Sequence, residues 1–271
     1  MAEILPMAAA SHTESTDQNI IYGEPVTSSP VQKLVNVGYT VGYSHETRTA
    51  LWVSYHLFEV GDVDGLVRND AFVADSRVTN PVDDDDYVGS GYDRGHMAPS
   101  SPIGKRYGQE AQDATFLMTN MIPQLPGLNQ RGWESLERII STDWAENFKK
   151  LWVVTGPVFQ GACKQLYSGV RVPSDCYMVI VCRTEQDEVK ALGVVMPQRR
   201  INQEPLSDFV VSIDQIESLT GIDFLTDLPD DIEDVIEAKD RTNADPSWDI
   251  DQLLKPTFAG NARTIKVKDC D

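Results

Sequence analysis

The 271-residue sequence has few basic residues, few histidines and no long hydrophobic run. Its 23 Lys and Arg residues face 42 Asp and Glu residues, and the formal net charge is −19. Such a charge argues against retention on nucleic acid or anionic membranes by bulk electrostatics. The longest apolar runs are far shorter than the roughly 18 residues of a membrane span, so no membrane partner is expected. With 41% hydrophobic residues, the chain is long enough to build one large core.

The four cysteines form no Cys-x-x-Cys pair, and with only four histidines a structural zinc site is not expected. An even cysteine count favours two disulfides in a secreted or periplasmic protein, with four buried thiols as the alternative. If residues 177–182 form a strand, Cys176 and Cys182 lie about 20 Å apart and cannot pair. We favour Cys163 with Cys176 and Cys182 with Cys270, because the first two flank one turn-rich loop. The remaining pairing joins Cys163 to Cys182 and Cys176 to Cys270.

The first 24 residues are small and polar without periodicity, which predicts a disordered leader. They lack the basic and apolar regions of a full signal peptide. The stretch Ala8–Ser11 therefore indicates either the remnant of a processing site or sequence added for expression. Residues 25–271 are predicted to form a single domain whose motifs lie between residues 87 and 140. The acidic C-terminal segment, 227–271, is expected to wrap the surface between Asp227 and Asp240.

Short β-type runs interrupted irregularly by helices indicate an α+β fold, with a mixed or antiparallel central sheet flanked by helices. The predicted strands are residues 39–43, 49–57, 115–121, 151–155, 177–182 and 191–196. The predicted helices are residues 107–114, 129–148 and 213–220, and Gly221 is placed to end the last of them. The longest helix has Asn129 at its N-cap and an apolar face at spacings of three and four residues, consisting of Trp133, Leu136, Ile140, Trp144 and Phe148.

Three features have ordinary interpretations. The run Asp83–Asp86 lacks the spacing and glycine of a calcium loop and is interpreted as a solvated loop. The sequence Gly89–Gly91 follows that acidic run instead of an apolar strand, so a dinucleotide-binding loop is rejected. Ser100 and Ser101 have no nucleophile-elbow context, which excludes a typical serine hydrolase.

A cluster of polar residues carries the chemistry. Arg94 and His96 are two residues apart, so on a strand they share one face, and Gly95 allows close packing against the other. Asn129 opens the long helix, and Glu137 lies two turns further along, at the border of the apolar face.

Three blocks of sequence extend this cluster: residues 89–96 (GSGYDRGH), residues 119–124 (TNMIPQ), and residues 128–137 with Asn129 and Glu137. In these blocks the chain resembles the DNA/RNA non-specific endonucleases, the ββα-metal family that includes secreted bacterial nucleases and mitochondrial endonuclease G. The similarity extends from about Leu34 to about Leu228 and includes Thr155–Pro157 and Val172–Pro173. The resemblance implies a ββα-metal active-site motif within the α+β fold.

The resemblance also implies a role for each residue of the cluster. It makes His96 the general base, Asn129 the ligand of a Mg²⁺ ion, with Mn²⁺ as the alternative, and Glu137 a group that holds metal-bound water. Arg94 and Asn120 become active-site supports, and Arg68 becomes a phosphate contact.

Three of these residues also have structural interpretations that remain open. Asn129 could be a plain N-cap, and capping does not exclude metal binding through the same side chain. Arg94 could instead be a salt-bridge partner of Glu137. Asn120 could be a structural amide that satisfies backbone groups near His96.

The expected function is metal-dependent hydrolysis of phosphodiester bonds in DNA and RNA, giving oligonucleotides with 5′-phosphates. One rival is a catalytically weak nucleic-acid-binding protein of the same fold, and another is a phosphodiesterase acting on a non-nucleic substrate. The sequence leaves open whether the protein is a monomer or a homodimer.

The charge distribution adds an expectation about salt. Residues 87–140 contain five basic and five acidic residues, so the rest of the chain carries the whole net charge of −19. Long-range repulsion of a polyanionic substrate is screened by salt. We therefore expect salt tolerance, with optimal activity at moderate or high salt.

Overall fold

The computed structural model describes residues 17–61, 63–184, 186, 188–257 and 263–270. Its strands in chain order are β1 (Val26–Thr27), β2 (Gln32–Asn36), β3 (Tyr39–Ser44), β4 (Thr49–Phe58), β5 (Asp93–His96), β6 (Met121–Gln124), β7 (Lys150–Val158), β8 (Lys164–Gln165), β9 (Arg171–Val172), β10 (Asp175–Arg183), β11 (Val189–Pro197), β12 (Val210–Val211), β13 (Ile222–Asp223) and β14 (Lys268–Asp269). Seven of them form the central sheet in the order β12-β11-β10-β7-β4-β3-β2, and every neighbouring pair is antiparallel.

The helices are few and lie on both sides of this sheet. They are α1 (Ser100–Tyr107), α2 (Gln109–Ala114), α3 (128–148), α4 (Ile213–Thr220) and α5 (Asp230–Glu237). Helix α3 is continuous, but two of its segments, Leu128–Trp133 and Ile140–Trp144, have the wider π-helical hydrogen bonding. A large antiparallel sheet with separate helices confirms the predicted α+β class. None of the helices in the described ranges is long and apolar enough to cross a bilayer.

The sheet is covered on both faces, and β10 illustrates the division. Met178 and Ile180 pack in the core that contains the apolar face of α3, while Tyr177 and Val179 pack in the core beneath α4 and α5. Successive side chains of a strand point to opposite faces, so one apolar run supplies both cores. The molecule therefore has an α3 face and an α4–α5 face.

The apolar face predicted for α3 is confirmed, because Trp133, Leu136 and Ile140 are fully buried in the first core. The predicted N-cap is wrong. The helix begins at Leu128, and the backbone N–H of Asn129 already donates to the carbonyl of Leu125 at 2.8 Å. The N-cap lies at Gly127, two residues before the position that the sequence pattern indicates, so Asn129 lies inside the first turn of the helix.

Residues 115–121 were predicted as a strand, and that prediction is wrong for most of their length. A helical turn at Met118–Asn120 comes first, and only Met121 joins β6. The N–H groups of Phe116 and Leu117 donate back to carbonyls at the end of α2, which keeps this stretch out of the extended conformation. Helix α1, which directly follows the residues around His96, was not predicted.

Both ends of the chain differ from their expected behaviour. Residues 17–24 are packed and not disordered: Ile20 is buried, and the side-chain amide of Asn19 donates to Thr40 Oγ1 at 3.2 Å. The rest of the predicted leader, residues 1–16, lies outside the described residues. In the acidic segment, α5 buries Ile236 and Glu237 instead of only wrapping the surface.

Both predicted disulfide pairings are wrong. Cys163 is bonded to Cys270, with Cα atoms 5.4 Å apart, while Cys176 and Cys182 are buried free thiols. The last two share a face of β10 and point into the core beneath α3, where no other cysteine of the described residues reaches them. Only the prediction that they do not pair with each other is confirmed.

Candidate active site

Two short strands and one helix place the residues that the sequence analysis singled out. Strand β5 pairs antiparallel with β6, with Asp93 opposite Gln124 and His96 opposite Met121. A Cβ atom on Gly95 would collide with the side chain of Gln124, so this position requires glycine. The strand pair and α3 together form a ββα arrangement.

These elements border a cleft with a volume of about 1170 Å³. Of the six predicted site residues, five line the cleft: Arg68, Arg94, His96, Asn129 and Glu137. Asn120 does not. Residues that are far apart in the sequence therefore share one cleft, because β5, the first turns of α3 and the loop that carries Arg68 all border it.

His96 lies among aromatic rings. The ring of Phe116 meets it edge-on at 4.9 Å, and the ring of Phe72 lies 5.9 Å away. Burial, together with the nearby positive charge of Arg68, lowers the pKa of His96 to about 3. Its Nε2 has no hydrogen-bond partner among the described residues. The ring is therefore neutral at pH 7, with a nitrogen free to accept a proton.

Asn129 is oriented by a carboxylate that the sequence analysis did not single out. Its Nδ2 donates to Asp93 Oδ2 at 3.0 Å, and Gln130 Nε2 donates to the same oxygen at 2.7 Å. Because the amide nitrogen faces the carboxylate, the Oδ1 of Asn129 is directed away from it and can accept from, or ligate, another group.

Glu137 lies two turns further along α3. Burial, and the nearby carboxylate of Glu134, raise its pKa to about 8. Glu137 Oε1 and Glu134 Oε2 are buried without a hydrogen-bond partner in the described part of the chain. Carboxylate and amide oxygens without partners are the donor set of a hard divalent cation, so the residues present fit such an ion and its waters.

Arg94 lines the cleft and is held by a carboxylate of the acidic run Asp83–Asp86. Its Nε lies 2.5 Å from Asp84 Oδ1, and its guanidinium lies 5.5 Å from the ring centroids of both Phe72 and Tyr87. Its ion-pair partner is therefore Asp84 and not Glu137, which overturns the structural alternative for this residue. The acidic run positions an arginine and is more than a solvated loop.

Asn120 is a structural amide. It is fully buried, its Oδ1 accepts from Ala98 N at 2.8 Å, and its Nδ2 donates to the carbonyls of Ala98 and Thr115 at 3.0 and 2.9 Å. Of the two interpretations of Asn120, the structure favours the supporting one over a direct catalytic role. Asn120 fixes the backbone of Ala98, two residues after His96.

Arg68 lies at the mouth of the cleft. Its guanidinium is 5.2 Å from the centroid of the Phe116 ring, the same ring that packs against His96. Its Nε donates to Asp70 Oδ1 at 2.5 Å, and its side chain is more than half exposed. It is available to an anion that enters the cleft.

Comparison with known proteins agrees with this geometry. The sequence profile of the DNA/RNA non-specific endonuclease family matches residues 15–231, most of the chain. This chain belongs to that family. It is 30% identical to mitochondrial endonuclease G of Bos taurus over 83% of this chain and 81% of the relative. It is also 30% identical to a nuclease of Nostoc sp., over 88% of this chain and 90% of that protein.

A solved structure of this endonuclease family matches the fold. It is described as the complex of EndoG with EndoGI, in a study of EndoG inhibition. The two folds superpose with a TM-score of 0.72 and 28% sequence identity, over 82% of this chain and 94% of that chain.

One cleft residue lies beyond the part of the chain that the family profile matches. Arg263 Nη1 donates to Asp93 Oδ1 at 2.7 Å, on the carboxylate that also holds Asn129. Its segment is fixed where Lys266 N donates to the carbonyl of Ser90 at 2.8 Å.

The disulfide at Cys270 fixes the far end of the same segment. Sequence reasoning missed Arg263, because no pattern links a C-terminal arginine to a motif 170 residues earlier. Asp93, in contrast, lies within the sequence block of residues 89–96 and could have been identified there.

Proposed function

We propose that this endonuclease hydrolyses phosphodiester bonds of both DNA and RNA with the help of a divalent cation, leaving 5′-phosphates. The observation that carries the proposal is the neutral His96 with its free Nε2, in one cleft with the oxygens of Asn129 and Glu137. Sequence selectivity is expected to be poor, because the cleft presents charges and amides suited to phosphates.

His96 would accept the proton of the attacking water. A base must be unprotonated at the working pH, and burial among aromatic rings ensures this for His96. The same rings fix the direction of the imidazole, so the proton is taken at a constant position relative to α3. The extended backbone after His96 is held by Asn120.

Asn129 would hold the cation through Oδ1, and Glu137 would orient water molecules around it. A divalent cation bound there supplies positive charge to the phosphate oxygens as negative charge develops on them. We propose Mg²⁺, with Mn²⁺ as an alternative, because one amide oxygen and several waters suit a cation that gives up its waters reluctantly. The raised pKa of Glu137 is consistent with a site that lacks its positive charge.

Three arginines would contact the phosphate backbone. Arg94, Arg68 and Arg263 reach the cleft from three different segments. Guanidinium groups donate charge-assisted hydrogen bonds to phosphates. Because Arg94 is pinned by Asp84 and Arg263 by Asp93, both are oriented before the substrate arrives.

Digestion of supercoiled plasmid and of total RNA, with Mg²⁺ and then with EDTA, tests the function. We expect both substrates to be cut in Mg²⁺ and neither in EDTA. The products should carry 5′-phosphates, so polynucleotide kinase should label them only after a phosphatase has removed these phosphates. Tight binding without cutting would instead support a binding protein. Hydrolysis of small phosphodiesters alone would support the non-nucleic alternative.

We further propose optimal activity at moderate or high salt. The cleft is lined by six basic and five acidic residues, whereas the whole chain carries −19. The repulsion therefore arises outside the cleft, and salt shortens its range from about 30 Å at 0.01 M to about 3 Å at 1 M. Measuring kcat/KM on duplex DNA across this range tests the proposal. A steady fall from the lowest salt would contradict it.

We also propose that the protein is exported to the periplasm or the medium, since a disulfide between Cys163 and Cys270 persists in oxidising compartments. Cell fractionation with thiol labelling of the denatured, unreduced protein tests this. Two labelled thiols in an extracytoplasmic fraction are expected, and four labelled thiols would contradict it.

A further inference from the structure

A second group of carboxylates lies on the α4–α5 face of the sheet, away from the cleft. Asp214 and Glu217 on α4 and Glu237 at the end of α5 each direct an oxygen into one space, and these oxygens lie within 4.8 Å of one another. The two helices that carry them pack on one face of β10 and β11 and enclose the core on that face. Nothing in the proposed catalysis uses this group.

The buried member of the group is Glu237. Only 5% of its surface is exposed, and its Oε1 has no hydrogen-bond partner among the described residues. Placing a carboxylate out of water costs free energy unless a hydrogen bond, an opposite charge or a metal ion compensates. One oxygen of this side chain lies within 4.8 Å of oxygens of Asp214 and Glu217, so a cation placed among the three would compensate its charge.

Among the described residues, the charges that act on Glu237 are negative. The charged groups that act on it are the carboxylates of Glu217, Glu233, Asp214 and Asp223, and together with burial they raise its pKa to about 8. Glu217 is partly fixed, since its Oε1 accepts from the N–H of Phe224 at 2.8 Å. One oxygen of the group is thus anchored by the backbone, and the remaining oxygens are free to bind a cation.

We propose that Asp214, Glu217 and Glu237 bind one Ca²⁺ ion that joins α4 to α5. Oxygen atoms about 2.4 Å from a Ca²⁺ ion lie up to about 4.8 Å apart, and the oxygens of this group lie within that limit. Mg²⁺ needs shorter bonds of about 2.0–2.1 Å and near-ideal octahedral geometry, which makes it the poorer fit. Bidentate carboxylates and water complete the coordination, and the ion stabilises the packing of the two helices on the sheet.

Equilibrium dialysis with ⁴⁵Ca²⁺ in excess Mg²⁺ tests the site on the whole chain, because Mg²⁺ occupies the cleft. We expect wild type and Asn129→Ala to retain one Ca²⁺ per chain, and Glu237→Gln and Asp214→Asn to lose it. Asp231→Asn, on the exposed side of α5, is the matched control and should retain the ion.

Thermal unfolding gives an independent measurement. Ca²⁺ should raise the Tm of wild type and of Asp231→Asn, and leave that of Glu237→Gln unchanged. In EDTA, Glu237→Gln should melt no lower than wild type, because the substitution removes a carboxyl group whose ionisation is opposed by burial and by the neighbouring carboxylates. If Glu237→Gln does not fold, the exposed position Asp214→Asn provides the same comparison.

Nuclease activity in Mg²⁺ should be the same in wild type, Glu237→Gln, Asp214→Asn and Asp231→Asn, which separates this site from the catalytic one. Wild type that retains no Ca²⁺ in Mg²⁺, or Glu237→Gln that binds as wild type does, would overturn the proposal.

Discussion

The two faces of the sheet each hold a glutamate whose pKa is raised to about 8, and the neighbours of the two differ. Glu137 on the α3 face lies in a cleft with an amide, a neutral histidine and arginines. Glu237 on the α4–α5 face is surrounded by carboxylates. The same electrostatic perturbation thus accompanies the proposed catalytic site on one face and the proposed Ca²⁺ site on the other. A raised pKa alone does not distinguish them, but the surrounding donors do.

The largest expected effect concerns the proposed base, His96, on the α3 face. His96→Ala should lower kcat by about 10²–10⁴-fold, the usual contribution of proton transfer, with folding and metal binding retained. Plasmid-cleavage kinetics measure this. His45→Ala is the control, since His45 is exposed and its ring contacts Gln32 outside the cleft. A variant that keeps more than half the wild-type rate removes His96 from the mechanism.

The next effect concerns metal binding in the cleft. Asp93→Asn removes the carboxylate that orients Asn129, so the Mg²⁺ concentration for half-maximal activity should rise about 10–100-fold, with the rate recovered at high Mg²⁺. Asn129→Ala should show a larger rise and only partial rescue. Asp143→Asn, on the exposed side of α3, is the control. An unchanged Mg²⁺ requirement in Asp93→Asn would show that Asn129 is oriented by other contacts.

A smaller effect is expected from the C-terminal segment. Arg263→Ala should lower kcat/KM about tenfold, because a charge-assisted hydrogen bond to a partly exposed group contributes about 1.4 kcal/mol. Cys163→Ser should have a similar effect, since it releases the segment that delivers Arg263. Arg241→Ala, an exposed arginine outside the cleft, serves as the control. Full activity in Arg263→Ala would assign this residue a purely structural role.

The smallest effect concerns stability on the face opposite the cleft. His56 stacks on Trp152 with ring centroids 4.3 Å apart, and burial with the charges of Lys150 and Arg106 lowers its pKa to about 4. His56 therefore binds a proton more readily in the unfolded chain than in the folded protein. As the pH falls from about 6.5 towards 4, protonation of His56 in the unfolded chain lowers the free energy of unfolding.

Between pH 7 and pH 5, wild type should therefore lose about 1 kcal/mol more unfolding free energy than His56→Phe does. Urea unfolding at each pH measures the difference. His45→Phe, at an exposed histidine, should follow wild type. Parallel pH profiles of wild type and His56→Phe would contradict the assignment.

The fold class and most of the cleft could be predicted because they rest on local patterns. The spacing of Trp133, Leu136 and Ile140 identified the buried face of α3, and Gly221 ended α4 with the left-handed backbone that glycine favours. Of the six residues predicted for the site, five line the cleft. The strand predicted at residues 115–121 failed, because hydrogen bonds back to α2 outweighed the extended preference of that stretch.

Contacts between distant segments were not predictable in the same way. The pairing of Cys163 with Cys270 depends on β14 lying beside β8, which nothing near either cysteine encodes. The assignment of Arg94 to Asp84 depends on how one loop folds over β5.

The sequence by itself determined the two-faced apolar strands, the amphipathic α3, and the motif residues of a DNA/RNA non-specific endonuclease. Periodicity and short motifs act within a few turns or strand residues, so they can be seen along the chain. The tertiary structure alone decided that Asp93 orients Asn129 and that Arg263 of the C-terminal segment lies in the cleft. It also decided that three carboxylates of α4 and α5 lie close together. These arrangements depend on charges and hydrogen bonds between segments that come together only when the sheet has formed.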